Sequence, residues 1–169
     1  MDINYSLGGC LDKLAPKKVL DLGIGNGLRS RRFIKKGSKI TGVDKIKMEL
    51  SPEINFVLSD IKDFEFKESY DLILASLVLH FFKKSEAMKI IKKMKKYTEI
   101  GGYNFILNMT PKDYFANKKP ENFYIKEEEL KKIYSDWEIV YSNSFETPLE
   151  EHDNLPPHKH FLTIILAKK

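Results

Sequence analysis

Apolar positions along this chain fall into short runs, and the runs have two periods. Seven segments read as strands: 18–22, 39–43, 55–58, 70–76, 103–107, 137–141 and 161–166. Tyr70-Asp71-Leu72-Ile73-Leu74-Ala75-Ser76 is almost continuously apolar, as a central strand buried on both faces must be. Three other segments repeat at helical spacing. The first covers 26–36 and is stopped by Gly37, a residue suited to a left-handed cap. The second covers 85–98, with Met88, Ile91, Met94 and Ile100 expected on its core side. Lys89, Lys92, Lys93, Lys95 and Lys96 form its solvated face, and Gly101-Gly102 ends it. The third covers 125–135, with Glu127, Glu128 and Glu129 in its first turn, where the helix dipole favours acids.

The connections set the topology. Residues 1–16 form a lead-in closed by Pro16, and 45–52 is too short for a full crossover helix. Residues 110–122, with Pro111 and Pro120, read as a long loop expected to lie over the site. Residues 142–157 leave no room for a crossover helix, so the last two strands should pair antiparallel at one edge. No repeat or linker divides the chain, and residues 1–169 read as one domain.

The chemistry concentrates at the end of the first strand, in Asp21-Leu22-Gly23-Ile24-Gly25-Asn26-Gly27. Strand, glycine turn and helix start in succession are a common way for an α/β fold to hold a nucleotide-like ligand. The glycines permit close backbone approach and dihedrals closed to other residues. The spacing is not the G-x-G-x-x-G of dinucleotide folds, which seat a pyrophosphate on a helix end. An acid two residues ahead of the first glycine would repel a pyrophosphate and suits a ligand carrying an ammonium group. Asp44, seventeen residues past Gly27, ends the second strand, where an acid typically accepts both ribose hydroxyls. Asp60 follows the third strand in the same way.

Composition narrows the partners. With 169 residues, 42% of them hydrophobic, the chain can bury its own core. A single cysteine, Cys10, excludes a disulfide framework or thiolate cluster and fits a reducing, cytoplasmic setting. No secretory leader or membrane-length apolar run is present in the sequence. The net charge of +5 rests on lysine, since Arg29, Arg31 and Arg32 are the only arginines. Phosphate surfaces generally use arginine as well, which argues against a nucleic-acid partner.

The glycine stretch resembles the first motif of class I S-adenosylmethionine-dependent methyltransferases. Tyr70-Asp71-Leu72-Ile73-Leu74 followed by Leu77-Val78-Leu79-His80-Phe81 resembles their fourth motif. Three further stretches are similar to the tellurite-resistance methyltransferases: Gly101-Gly102-Tyr103-Asn104-Phe105-Ile106, Phe123-Tyr124-Ile125-Lys126, and Phe161 through Lys169. The resemblance implies an α/β, Rossmann-like three-layer sandwich with a seven-stranded, mostly parallel sheet and an antiparallel edge hairpin. It also implies a cofactor, S-adenosyl-L-methionine, held by Asp21, Gly23, Ile24, Gly25, Asn26 and Gly27, by Asp44 and Lys45, by Asp60 and Ile61, and by Ala75, Ser76 and Leu77. Asp60 would take the adenine amino group and Ile61 would pack on the ring.

Methyl transfer of this kind is an in-line displacement that needs positioning more than a catalytic group. His80, just past the fourth-strand tip, is the candidate base, with His160 beside it in role. Where the family carries a His-Arg pair and a further Arg before the last strand, this chain has His152, His158 and His160 and no arginine after Arg32. His158 and His160, two apart, should share a strand face. Three histidines so placed are not read as a metal site. The family's longer N-terminal segment, which helps close the active site, has no counterpart before the first strand.

The expected acceptor is a small molecule, a chalcogen oxyanion such as tellurite or selenite, or a thiol. An oxyanion would call for cationic donors near the last strand. Ala75-Ser76-Leu77-Val78 lacks the prolines of exocyclic-amino DNA methyltransferases, and Cys10 is misplaced for a pyrimidine C5 nucleophile. The alternatives are an RNA or protein acceptor, a nicotinamide-dependent oxidoreductase, and a non-catalytic cofactor-binding module.

Overall fold

The computed structural model describes residues 8–150 and 155–169. One seven-stranded sheet runs in the order β3-β2-β1-β4-β5-β7-β6. The strands are β1 (Lys18–Leu22), β2 (Lys39–Asp44), β3 (Ile54–Leu58), β4 (Tyr70–Ser76), β5 (Thr98–Met109), β6 (Glu138–Glu146) and β7 (Phe161–Lys168). The first five are parallel, while β7 pairs antiparallel with both β5 and β6. This is the expected α/β sheet with its antiparallel edge. The strand order places β1 next to β4, so the chain reverses direction across the sheet beside the glycine turn, where open α/β sheets form their ligand crevice.

Alternation along the strands feeds two cores. Leu20, Ile73, Ile106 and Ile165 face one side, against Ala87, Ile90, Ile91 and Met94 of α1 (Lys84–Lys96) and Leu130 of α2 (Glu127–Ile133). Val19, Leu72, Leu74, Phe105 and Ile164 face the other, against Cys10, Leu11 and Phe33. Both helices start at a side chain that reaches back: Glu86 accepts the Lys83 N–H at 3.1 Å, and Glu129 accepts the Lys126 N–H at 3.1 Å. The Asp71 carboxylate accepts the N–H groups of Lys17 and Lys18 at 2.9 and 2.8 Å, which pins the start of β1 beside β4. No helix among the described residues is long and apolar enough to cross a membrane.

Three local expectations are corrected. Residues 26–36 do not form an α-helix; turns lead into a 3₁₀ segment, Arg31–Lys36, closed by Gly37 in the left-handed region. Phe33 is the only fully buried residue of that segment, and one anchor does not impose a 3.6-residue period against a run of cations. Ile100 is not on the core side of the long helix but 91% exposed. The helix ends at Lys96, and the pairing of β5 with β4 jumps from Tyr70–Thr98 to Leu72–Tyr103, so 99–102 bulge out of the ladder. Gly101-Gly102 therefore lies inside a strand, where a side chain on Gly102 would press within 2.9 Å of the Asp71 and Glu99 carbonyls. Strand β6 also continues to Glu146, beyond the expected 141, because β7 offers it a partner as far as Phe161.

Candidate functional site

A cavity of about 670 Å³ opens at the carboxyl ends of β1, β2, β3 and β4. Its volume lies within the usual range for small-molecule and cofactor sites. Asp21, Asp44 and Asp60 all contribute to its wall.

The glycine turn forms the floor. Gly23, Gly25 and Gly27 have φ values of +69, +50 and +72°, a region that disfavours other residues, as the sequence spacing implies. A Cβ on Gly23 would stand 2.3 Å from Val78 Cγ2, so this glycine lets the end of β1 and the segment after β4 touch. A Cβ on Gly25 would meet nothing within 4 Å, which leaves its backbone open to the cavity. Ile24 is held against Gly42 of β2, where any side chain would strike Ile24 Cδ1 at 2.3 Å.

The acids differ in setting. Asp21 is 2% exposed, and burial pushes its carboxyl up to about 7, with Asp44 adding to the rise and Ser30 and Arg29 opposing it. Asp44 Oδ2 accepts the Gly25 N–H at 3.0 Å and Oδ1 the Ile46 N–H at 3.0 Å, which ties the tip of β2 to the glycine turn. Asp60 Oδ1 accepts the Lys62 N–H at 2.9 Å, an Asx turn closing the end of β3. The Ser59 N–H donates to the Asp44 carbonyl at 2.9 Å, so the tips of β2 and β3 are fixed together.

Past β4, Leu77 has φ of +51°, the only non-glycine residue with positive φ among those described, and it lies in the cavity wall. Strained backbone of this kind costs on the order of 1–3 kcal/mol and concentrates at ligand clamps.

Eleven of the thirteen expected cofactor positions line the cavity: Asp21, Gly23, Ile24, Gly25, Asn26, Asp44, Lys45, Asp60, Ile61, Ser76 and Leu77. Two do not. Gly27 faces Leu50 and Ile54 across the turn, and Ala75 is fully buried with the helix-side core. The wall also includes Arg29, Lys62, Val78, Phe81, Phe82 and Glu86, which sequence reasoning missed. Val78 to Glu86 were legible as the segment leaving β4, but not as a wall.

The histidines sit apart from this wall. His80 is 7% exposed, and its Nδ1 is buried with no hydrogen-bond partner among the described residues. Burial pushes its imidazole down to about 4, with the nearby Asp113 charge opposing. His160 Nδ1 lies 3.1 Å from Oδ2 of the buried Asp113, which also accepts the Phe161 N–H at 3.0 Å. His158 and His160 touch, with ring centroids 4.9 Å apart, but both precede β7 rather than lying on it. His152 lies outside the described residues. The loop 110–122 contributes no residue to the cavity wall; it packs Phe115 and Tyr114 against His160 and His158, and its end bonds to the wall segment through Asn122 Nδ2, which donates to the His80 carbonyl at 2.9 Å. Among the described residues no cluster of ligating side chains suits a metal ion.

The family model described as "Tellurite resistance protein TehB" matches residues 7–155. A curated relative, the "Probable S-adenosyl-L-methionine-dependent methyltransferase TehB" of Haemophilus influenzae, is 33% identical over 92% of this chain and 59% of its own length. The chain thus spans about three-fifths of the length of that relative. The crystal structure of TehB from Haemophilus influenzae superposes with a TM-score of 0.77 and 28% identity, covering 100% of this chain and 62% of that one. The N-methyltransferase NodS from Bradyrhizobium japonicum, solved with S-adenosyl-L-homocysteine, matches with a TM-score of 0.67 over 94% of this chain and 80% of that one. At 16% identity the NodS likeness concerns the fold. The chain belongs to the TehB family.

Proposed function

We propose that the cavity binds S-adenosyl-L-methionine and that the protein transfers the methyl group to a small, soft nucleophile. One observation carries this reading: Asp21, Asp44 and Asp60, from three neighbouring parallel strands, line a single cavity. Their order along it suits an ammonium group, a ribose and an adenine in turn. The open face over Gly25 leaves room for the ligand backbone to approach, so the residues fit the cofactor. In this assignment Asp44, already oriented by two N–H groups, accepts the ribose hydroxyls with its remaining lone pairs. Asp60 accepts the adenine amino group, Ile61 packs on the ring, and Lys45, Ser76 and Leu77 complete the contacts.

The methyl donor supplies a carbon already activated by its sulfonium. The protein's part is to align the acceptor with it and to keep water out, which Val78, Phe81 and Phe82 do from the apolar side of the wall. The acceptor's lone pair forms the new bond to the methyl carbon as the carbon–sulfur bond breaks.

The acceptor we assign is a sulfur, selenium or tellurium centre, presented as a thiol or as an oxyanion such as tellurite. The name of the family supports tellurium. The side chains near the last strand support a lone pair that needs little cationic help. The Lys159 ammonium is paired with Glu146, His160 with Asp113, and burial keeps His80 neutral. For an acceptor that must lose a proton we keep His80 as the candidate base and His160 as its companion, although neither lines the cavity. A small-molecule acceptor and a cytoplasmic setting accord with a basic surface built mainly on lysine and with the single free Cys10.

A panel of thiols, selenite, tellurite, amines and alcohols incubated with methyl-labelled donor tests the reading. Label entering a thiol or chalcogen compound supports it, and label entering only amines or alcohols contradicts the acceptor assignment.

A further inference from the structure

The cavity wall changes character past β4. Its cations come from elsewhere: Arg29 from the glycine-turn side, Lys45 from the end of β2, and Lys62 from the end of β3, paired with Glu86 at 3.4 Å. The segment leaving β4 brings Leu77, Val78, Phe81 and Phe82 to the wall, and none of them is charged. Phe81 is 63% exposed, an open aromatic ring in that wall.

Behind this segment stands a buried carboxylate. The His80 imidazole lies 4.1 Å from the Phe81 ring, centroid to centroid. Asp113, in the loop whose Asn122 holds the His80 carbonyl, is 1% exposed. Its Oδ1 accepts the Phe115 N–H at 3.0 Å, and its Oδ2 accepts the Phe161 N–H at 3.0 Å and faces His160 Nδ1 at 3.1 Å. Among the described residues no lysine or arginine pairs with it. Met109 pairs with Leu162, so the end of β5 and the start of β7 bring Asp113 to the same end of the sheet as the cavity. Of the charges acting on His80, Asp113 is the largest, ahead of His160 and Lys119, which act in the opposite sense. A buried charge of this kind is little screened by salt.

Charge decides what such a wall accepts. An anion would approach it against Asp113, with no cation in the segment to offset the repulsion. A neutral lone pair instead gains positive charge as it takes the methyl, because the sulfonium charge crosses from donor to acceptor. An aromatic ring and a nearby carboxylate both favour the arriving cation. His80, kept neutral by burial, is a poor base, and an acceptor with no proton to lose needs none.

We infer that the acceptor is an uncharged organic sulfide, selenide or telluride, methylated to its onium cation, and that Phe81 and Asp113 make the site favour it over an oxyanion. The inference rests on the methyl-donor reading and selects among its sulfur, selenium and tellurium centres by charge. The chalcogen lone pair forms the new bond to the methyl carbon, and the electrons of the broken carbon–sulfur bond return to the donor sulfur. The positive charge passes from donor to acceptor, and no proton is released. Phe81 faces the acceptor, while Asp113 acts through space as a specificity-determining residue.

Initial rates with methyl-labelled S-adenosylmethionine at neutral pH, dimethyl selenide against selenite, test it. The wild type should form labelled trimethylselenonium with a kcat/KM at least tenfold above that for selenite. Asp113→Asn should lower kcat/KM for dimethyl selenide at least fivefold without lowering that for selenite, whereas a general loss of structure would lower both. Phe81→Leu should also lower the dimethyl selenide value at least fivefold, and it carries the test if Asp113→Asn does not fold, because the Phe81 ring lies outside the core. S-adenosylhomocysteine titration shows which variants keep a formed cavity. A wild type that labels selenite and not dimethyl selenide overturns the inference. An unchanged preference in a variant that still binds S-adenosylhomocysteine overturns the role of that residue. A wild type that binds no S-adenosylmethionine would instead overturn the methyl-donor reading itself.

Discussion

The Gly25 N–H donates to Asp44 Oδ2 at 3.0 Å, so the glycine turn of β1 and the acid at the tip of β2 are one unit. The second Asp44 oxygen is held by the Ile46 N–H at 3.0 Å. Replacing Asp44 by Ala would leave two N–H groups without their acceptor, at a cost of about 1–3 kcal/mol for each one that water does not reach. Asp44→Ala should therefore lower the thermal midpoint and, on the proposed ribose role, weaken S-adenosylhomocysteine at least tenfold. Differential scanning fluorimetry and titration calorimetry read the two effects.

Gly23 meets Val78 so closely that a Cβ would lie 2.3 Å from Cγ2. Gly23→Ala should be destabilising by about 2–4 kcal/mol, part steric and part from its φ of +69°. Adding Val78→Ala should recover the steric part alone. Denaturant unfolding of the two single variants and the double variant measures the coupling, and additivity would contradict the contact.

Two buried titrating groups should tilt stability in opposite directions with pH. Asp21 is raised from 3.8 to about 7, so its favourable contribution is complete below pH 4 and lost as pH rises through 7. Asp21→Asn keeps a neutral group, so its stability relative to wild type should rise across that window. His80 is lowered from 6.5 to about 4, so its contribution is complete above pH 6.5 and lost as pH falls towards 4. His80→Phe should gain on wild type as the pH falls. Thermal midpoints of the ligand-free proteins between pH 4 and 8 give both differences.

Tyr134 is fully buried, and its hydroxyl donates to Asn104 Oδ1 at 2.9 Å, while Asn104 Nδ2 donates to Thr98 Oγ1 at 2.6 Å. Tyr134→Phe leaves a buried carbonyl oxygen unsatisfied and should cost about 1–3 kcal/mol. It should leave ligand affinity unchanged, because none of these three residues lies in the cavity wall. Urea denaturation beside ligand titration checks both halves.

Legibility followed burial. Strands β1 and β4 could be read because parallel strands covered on both faces must be almost wholly apolar, and the polar residue that interrupts them marks a tip or a pin. Asp21 was readable for that reason, and Asp44 and Asp60 from their places at the carboxyl ends of β2 and β3. The wall residues Phe81, Phe82 and Glu86 were not, since they reach the cavity only when the chain after β4 folds back across it. Asp113 is forty-seven residues from its partner His160, a pairing that the sheet creates and no local pattern announces. Arg29 was visible as one of three arginines, but only the structure separates it from the ion-paired Arg32. Ile100 was misplaced because helical spacing was carried past the true helix end at Lys96.

Titration of the full chain with S-adenosylmethionine, beside NAD as a control, tests the account most directly. The cavity at the tips of β1, β2, β3 and β4 should take up one equivalent of S-adenosylmethionine with micromolar affinity, lose it in Asp44→Ala and Asp60→Ala, and ignore NAD. No heat at high micromolar S-adenosylmethionine, or preferential binding of NAD, would contradict it.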